Sequence, residues 1–170
     1  MRKMFLTLAV IACVCVSYAR DPQRGYRGFV DLELAAGKFH YTPNDKPGNE
    51  KDVLGMFGIS TTQGYQFNNH MFAGVGVGVV ASPGRGFAPI FGNFRYDARF
   101  GKFTPYGDIR LGYEMFENGV YFSPTVGYRF NFGHKLNLNV GLGMSVLPFT
   151  SNVNKPKYES GFTLRIGIDF

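Results

Sequence analysis

The last nine residues of this 170-residue chain constrain its fold more than any other segment. Apolar and small or polar side chains alternate there without a break: Phe162, Leu164, Ile166, Ile168 and Phe170 against Thr163, Arg165, Gly167 and Asp169. Because successive side chains of a strand point to opposite faces, the segment predicts a β-strand with one apolar and one polar face. An apolar row that continues to the final residue is typical of a strand whose outer face meets lipid.

The same period of two recurs along the chain. Clear alternation covers residues 30–34, 72–79, 108–115, 122–130 and 136–146, and weaker alternation covers 53–66 and 88–97. Together with the terminal segment these make about eight strands, and single-chain bacterial barrels have an even number. No internal repeat longer than a hairpin and no domain boundary is evident.

The connections between these segments differ in length. Short breaks fall at residues 67–70, 98–102 and 131–134, whereas 41–52, 82–87 and 147–158 are longer and rich in Pro, Gly, Asn or Lys. Asn118-Gly119 carries the signal of a tight hairpin turn. Short periplasmic turns and longer external loops are the arrangement of outer-membrane barrels. The predicted fold class is therefore all-β: an eight-stranded, antiparallel, up-and-down transmembrane β-barrel.

Alternation alone leaves open which face points outward, because a soluble, exported, ligand-binding barrel has the same period with its apolar face inside. Here the polar face is mostly Gly, Asn, Ser and Thr with little Lys, which suits a narrow interior better than a water-exposed surface. Charges of both signs on that face are expected to neutralise each other. The predicted interior charge network consists of Asp31, Glu33, Arg95, Asp97, Asp108, Arg110, Glu114, Arg129, Arg165 and Asp169, with Arg27 as a further candidate.

The N-terminus predicts a secretory signal peptide over residues 1–19, with the barrel domain over 20–170. Arg2 and Lys3 precede an apolar run, and Ser17-Tyr18-Ala19 fits a cleavage site. Lipidation at Cys13 is the alternative. The net charge is +6, and removal of Arg2 and Lys3 lowers it by two, to +4. Such a mild excess without a basic stripe argues against nucleic-acid binding. No cofactor and no metal-ligand spacing is predicted.

These residues resemble the small eight-stranded outer-membrane barrels, the OmpA/OmpX-like outer membrane β-barrel domain family. Two segments that each precede a short turn are similar to that family: Gly64-Tyr65 and Gly127-Tyr128-Arg129-Phe130. The resemblance extends over essentially the whole chain after the predicted signal peptide. The resemblance implies that Phe162, Leu164, Ile166, Ile168 and Phe170 form a C-terminal assembly signal read by the barrel-assembly machinery. It also implies outer-membrane lipid and lipopolysaccharide as surroundings. A girdle of aromatic residues at the membrane interface is expected from Tyr65, Tyr96, Phe103, Tyr128, Phe130 and Phe170.

The favoured function is that of a non-enzymatic outer-membrane barrel with a structural or adhesive role, whose interior is plugged by the polar network. Lys155 and Lys157 are candidates for contact with lipopolysaccharide phosphates, and the partner of the loops stays open. One alternative is a barrel enzyme that modifies lipid A through His40, with Asp45 and Ser82 nearby; His70 and His134 fall in periplasmic turns. The other alternative is the soluble, exported, ligand-binding barrel.

Overall fold

The computed structural model describes residues 24–41, 51–82, 85–98, 103–116, 118–132, 136–151 and 155–170. All the regular structure in these ranges is antiparallel β-sheet. The strands are β1 Gly25–Tyr41, β2 Lys51–Gln66, β3 Met71–Ser82, β4 Arg85–Phe87, β5 Pro89–Asp97, β6 Phe103–Glu114, β7 Gly119–Asn131, β8 Asn137–Ser151 and β9 Lys155–Asp169.

The strands form one closed barrel. Their order is β2-β1-β9-β8-β7-β6-β5-β3-β4, and an additional pairing of β2 with β3 closes the ring. β4 and β5 both pair with β3, through Phe87 and Ile90 respectively, and only Ala88 separates them. They are therefore two parts of one interrupted strand, and the wall has eight strands. The prediction of an eight-stranded, antiparallel, up-and-down barrel is confirmed.

The two ends of the barrel differ. At one end, called the turn end, short connections run through residues 67–70, 98–102 and 132–136. The other end, called the loop end, carries the remaining connections. One of these is the predicted Asn-Gly turn, where Asn118 has a φ of 53°. The described residues contain no helix that is long and apolar enough to cross a membrane.

The prediction of a long loop over residues 147–158 was wrong. β8 continues to Ser151 and β9 begins at Lys155, so most of this segment is a paired hairpin, with Pro148 opposite Tyr158. On its two sides, β7 pairs with β8 only as far as Val146, and β1 pairs with β9 only as far as Phe162. The hairpin thus extends past both neighbouring strands, and at such an edge a proline costs no ladder hydrogen bond.

The outer face of the wall is mostly apolar over the described side chains. Large apolar side chains are exposed on every strand of the ring, and Phe162, Val126 and Val75 expose about 70% of their surface (74, 69 and 68%). Tyr65, Tyr96 and Tyr128, predicted for the interfacial girdle, are also exposed.

Phe170 departs from the predicted girdle, because it is only 8% exposed. Its backbone pairs with Gly28, with hydrogen bonds of 2.9 and 3.1 Å. A Cβ added to Gly28 would lie 2.8 Å from the Phe170 ring. The ring therefore covers the outer surface of Gly28 at the seam between β1 and β9, instead of projecting into the surroundings.

Candidate functional site

The interior of the barrel contains all ten residues predicted for the charge network, and none of them is more than 7% exposed. Arg27 lies there as well, 2% exposed. They belong to β1, β5, β6, β7 and β9, and they meet because inward-pointing positions of a narrow barrel face one another. The described ion pairs fall into two clusters, one near the turn end and one at mid-height.

The central cluster is built around two arginines. It consists of Asp31, Glu33, Asp108, Arg110 and Arg165. Arg110 donates to Asp31 and, over 2.6 Å, to Glu33. Arg165 donates to Asp108 over 2.8 Å and lies 3.3 Å from Glu33. With three carboxylates and two guanidinium groups, the central cluster carries a net charge of −1.

The turn-end cluster has the opposite balance. It consists of Arg27, Arg95, Asp97, Arg129 and Asp169. Asp169 accepts from Arg27 over 3.0 Å and from Arg129 over 2.8 Å. Asp97 accepts from Arg27 over 2.8 Å and from Arg95 over 2.6 Å. Three guanidinium groups and two carboxylates give this cluster a net charge of +1.

Neutral polar side chains complete both clusters, and the sequence analysis did not single them out. Gln66 and Asn139 accept from Arg27 and Arg95, each over 2.7 Å. Asn93 donates to Asp108 over 2.7 Å, and Ser60 donates to Glu33 over 2.9 Å. Each occupies an inward position of its strand, so the parity of the alternation was the signal that could have identified them.

Aromatic rings lie between the two clusters. The Arg95 guanidinium carbon is 3.7 Å from the ring centroid of Tyr106 and 5.0 Å from that of Phe29. Phe29 in turn packs edge-on against Phe72, with centroids 4.9 Å apart. Cation–π contact of this kind stabilises a guanidinium away from water.

Inward glycines provide the space for these large groups. Phe91 pairs across the sheet with Gly76 on one side and Gly112 on the other. A Cβ on Gly76 would lie 2.6 Å from a carbon of the Phe91 ring, and one on Gly112 would lie 2.7 Å from its Cβ. Gly74, Gly76 and Gly78 all lie on β3 and alternate there with outward-pointing valines.

An apolar layer closes the interior toward the loop end, and the sequence analysis missed it. This apolar cap consists of Met56, Val80, Phe87, Phe91, Tyr121 and Leu147. Arg110 lies directly beneath it, 4.8 Å from the Phe91 ring centroid. Glu114 is fully buried at this level, where its carboxylate accepts a 2.7 Å hydrogen bond from the Ala88 N–H at the break between β4 and β5.

The histidines do not form a described catalytic group. His70 is exposed in a short turn, stacks on Tyr96 at 5.6 Å, and has its Nδ1 2.8 Å from the Asp97 carbonyl. His40 pairs with Asp52 through its backbone, but its side chain, like Asp45 and His134, lies outside the described residues. Within the described ranges, no group of three or more His, Cys, Asp or Glu residues is placed to hold a metal ion.

The remaining predicted residues divide between described and undescribed parts. The apolar row of β9 forms part of the outer wall, with Ile166 and Ile168 about 40% exposed (39 and 40%). Lys155 and Lys157 lie on β9 opposite Ser151 and Phe149, and their side chains are outside the described part. The predicted signal peptide, including Cys13, is also outside it.

Solved structures place this fold among transmembrane barrels. The chain is similar to Neisserial surface protein A, with a TM-score of 0.61, 14% identity, and 89% of this chain and 98% of that one covered. It is similar to the outer membrane protein OprG from Pseudomonas aeruginosa, with a TM-score of 0.54, 12% identity and coverage of 89% and 96%. It is also similar to a designed transmembrane β-barrel, with a TM-score of 0.52, 16% identity, and 89% of this chain and 97% of that one covered. The sequence matches no family model and no curated protein. The chain therefore has the fold of the small eight-stranded transmembrane barrels.

Proposed function

We propose that this protein is an integral outer-membrane barrel with a structural or adhesive role, that it has no enzymatic activity, and that its interior is plugged. The observation that carries this proposal is the filled interior. Two buried ion clusters and the apolar cap occupy successive levels, so an ion that crossed the barrel would have to break pairs such as Arg110–Glu33 and then pass Phe91 and Tyr121.

The proposed location follows from the distribution of side chains. An apolar outer wall would be costly in water, whereas a closed barrel is one of the two structures that satisfy all backbone groups in lipid. Export through the signal peptide of residues 1–19 would deliver the chain to the envelope. OprG, a solved protein of the same fold that carries the words outer membrane in its name, supports the same location.

The proposed partners follow from that location. Outer-membrane lipid and lipopolysaccharide would surround the wall, and Lys155 and Lys157 would meet lipopolysaccharide phosphates at the rim. The barrel-assembly machinery would read the β9 row before the barrel closes. Adhesive contact would involve the loop end, because the wall is a scaffold shared by barrels of many functions.

The test is conductance of the purified, folded protein in planar lipid bilayers. We expect no stepwise current from the wild type, because charged groups stay paired and the apolar cap excludes water. The variant Phe91→Ala removes the cap ring next to Arg110, and Leu111→Ala is a matched control that shortens an exposed side chain of the outer wall. Stepwise conductance of the wild type, with heat-dependent gel mobility showing that it is folded, would contradict the plugged interior.

Location is tested separately by fractionating the cells that produce the protein. Recovery in the outer membrane, with lower gel mobility after boiling, is the expected result for a closed barrel. Recovery as a soluble periplasmic protein would exclude the membrane proposal and would favour an exported ligand carrier.

A further inference from the structure

The turn-end cluster contains more hydrogen-bond donors than acceptors. A guanidinium group has five N–H donors and a carboxylate about four acceptor sites, so three arginines bring about fifteen donors to about eight carboxylate sites. The Oδ2 atom of Asp169 already accepts from Arg27, Arg129 and Asn137. The amide oxygens of Gln66 and Asn139 are likewise occupied by arginines.

Two of the buried donors in this cluster have no acceptor. The central cluster also has two such donors, Nε of Arg110 and Nε of Arg165, but these lie 3.5 Å from Asp108 and 3.3 Å from Glu33. Among the residues that the structure describes, nothing accepts a hydrogen bond from Nε of Arg129 or from Nη2 of Arg27. Nη2 of Arg27 is 3.0 Å from Asp169, but not in hydrogen-bond geometry. Nη1 of Arg129 is 3.7 Å from Asp97, which is too long for a hydrogen bond. Both side chains are at least 95% buried, so these donors are costly to leave unpaired.

The turn-end cluster has a positive net charge as well as an excess of hydrogen-bond donors. The net charge is +1, and the balancing charge of −1 belongs to the central cluster, beyond Phe29 and Tyr106. A carboxylate of the central cluster therefore supplies no acceptor to Arg129. One small anion at this level would supply both an acceptor for these donors and the missing negative charge.

We propose that the turn-end cluster is a binding site for a small inorganic anion of the size of chloride, held by Arg129 and Arg27. The site lies at the barrel mouth, because Asp97 and Asp169 are the last residues of β5 and β9, and Arg27 and Arg129 are two residues from strand ends. Among the described residues, an anion that enters from the turn end meets this cluster before the central cluster and the apolar cap. This inference rests on the fold and not on the proposed role in the envelope.

The first experiment measures binding directly by the line width of ³⁵Cl NMR, with the folded wild-type protein in detergent micelles. We expect broadening beyond that of protein-free micelles, reduced by added bromide. Arg129→Gln should lose this excess broadening. Arg165→Gln is the matched control, because it removes the same kind of side chain from the net-negative cluster and should keep the broadening.

The second experiment compares the urea midpoint of unfolding in chloride and in gluconate at equal ionic strength, since gluconate is a much larger anion than chloride. Chloride at 100 times its Kd would shift the unfolding equilibrium of the wild type about a hundredfold, and this difference should vanish in Arg129→Gln. If the glutamine variant does not fold, Arg129→Lys replaces it; lysine keeps the charge but not the planar fork, so the difference between the two salts should shrink instead of vanishing.

Two results would overturn the proposal. One is a folded wild type with no excess ³⁵Cl broadening and equal midpoints in the two salts. The other is broadening that persists equally in Arg129→Gln and Arg165→Gln, which would mean that exposed basic residues bind chloride weakly. Neither result depends on whether the barrel conducts ions.

Discussion

Substituting Gly167 by alanine tests whether inward glycines make room for the charge network. Gly167 lies on β9 directly opposite Asp31. A Cβ at this position would overlap the Asp31 carboxylate, whose Cγ would be 2.8 Å away, and it would also be 2.8 Å from the Val30 carbonyl oxygen. The backbone at Val30 cannot move without breaking the β1–β9 ladder, so Asp31 must shift, and Asp31 is a partner of Arg110.

The magnitude has a lower and an upper bound. Overpacking of a filled interior by one methyl group costs about 1–3 kcal/mol. If the shift separates Asp31 from Arg110, a buried pair is broken, and that costs about 3–5 kcal/mol. We therefore expect Gly167→Ala to lower the free energy of unfolding by at least about 1 kcal/mol.

The matched control is Gly107→Ala, which makes the same change on the outer face. A Cβ at Gly107 meets no atom within 4 Å. With no clash, a glycine-to-alanine change stabilises by about 0.4–1 kcal/mol, because it restricts the unfolded chain. Gly107→Ala is thus expected to be neutral or slightly stabilising.

The assay is urea unfolding in micelles, followed by far-ultraviolet circular dichroism and by gel mobility, with linear extrapolation to zero urea. Tryptophan fluorescence is not an option, because the chain contains no Trp. Ordinary surface substitutions change the free energy of unfolding by about 0.5 kcal/mol or less. If the free energies of unfolding of Gly167→Ala and Gly107→Ala differ by no more than that, the interior has spare room at Asp31 and is not closely packed there.

Three further substitutions test separate features. Asp169→Asn leaves three arginines with one carboxylate and should cost about 3–5 kcal/mol in the same urea assay; a cost below about 1 kcal/mol would mean that water enters the turn end. Phe91→Ala should cost about 3–5 kcal/mol, because Gly76 and Gly112 beside it have no side chain to fill the cavity. Asn118→Gly should leave the free energy of unfolding nearly unchanged, whereas Asn118→Val should lower it by about 1 kcal/mol or more, because the φ of 53° suits glycine and not a β-branched residue. Equal urea midpoints for the two variants would show that this turn does not limit stability.

Strand positions and inward charges could be predicted because polar and apolar residues contrast along them. Asp31 is an example: it stands between Val30 and Leu32, so the alternation alone predicts that its carboxylate points inward. The contrast is absent at Met56 and Tyr121, where apolar residues occupy both faces of the strand, so parity gave no signal for the apolar cap. The segment around Pro148 was misassigned because its composition is typical of a loop, although pairing with β9 overrides it.

The partners of each arginine could not be predicted. Arg110 reaches Glu33 on a strand that is not its neighbour in the sheet, and this meeting depends on how far the strands are staggered around the ring. Alternation specifies the face of a side chain but not its height in the barrel. The division of the network into one cluster of +1 and one of −1 was therefore visible only in the structure.

The seam between β1 and β9 has a consequence for the timing of folding. Phe29 pairs with Asp169, so the ring joins the first and the last described strands, and contacts of such large sequence separation form slowly. Until the seam closes, β1 and β9 each expose a row of unpaired N–H and C=O groups, which invites pairing with other chains. On the proposed route to the outer membrane, the protein should therefore depend on a holding chaperone before insertion, and a delay at this step should yield aggregates instead of partly closed barrels.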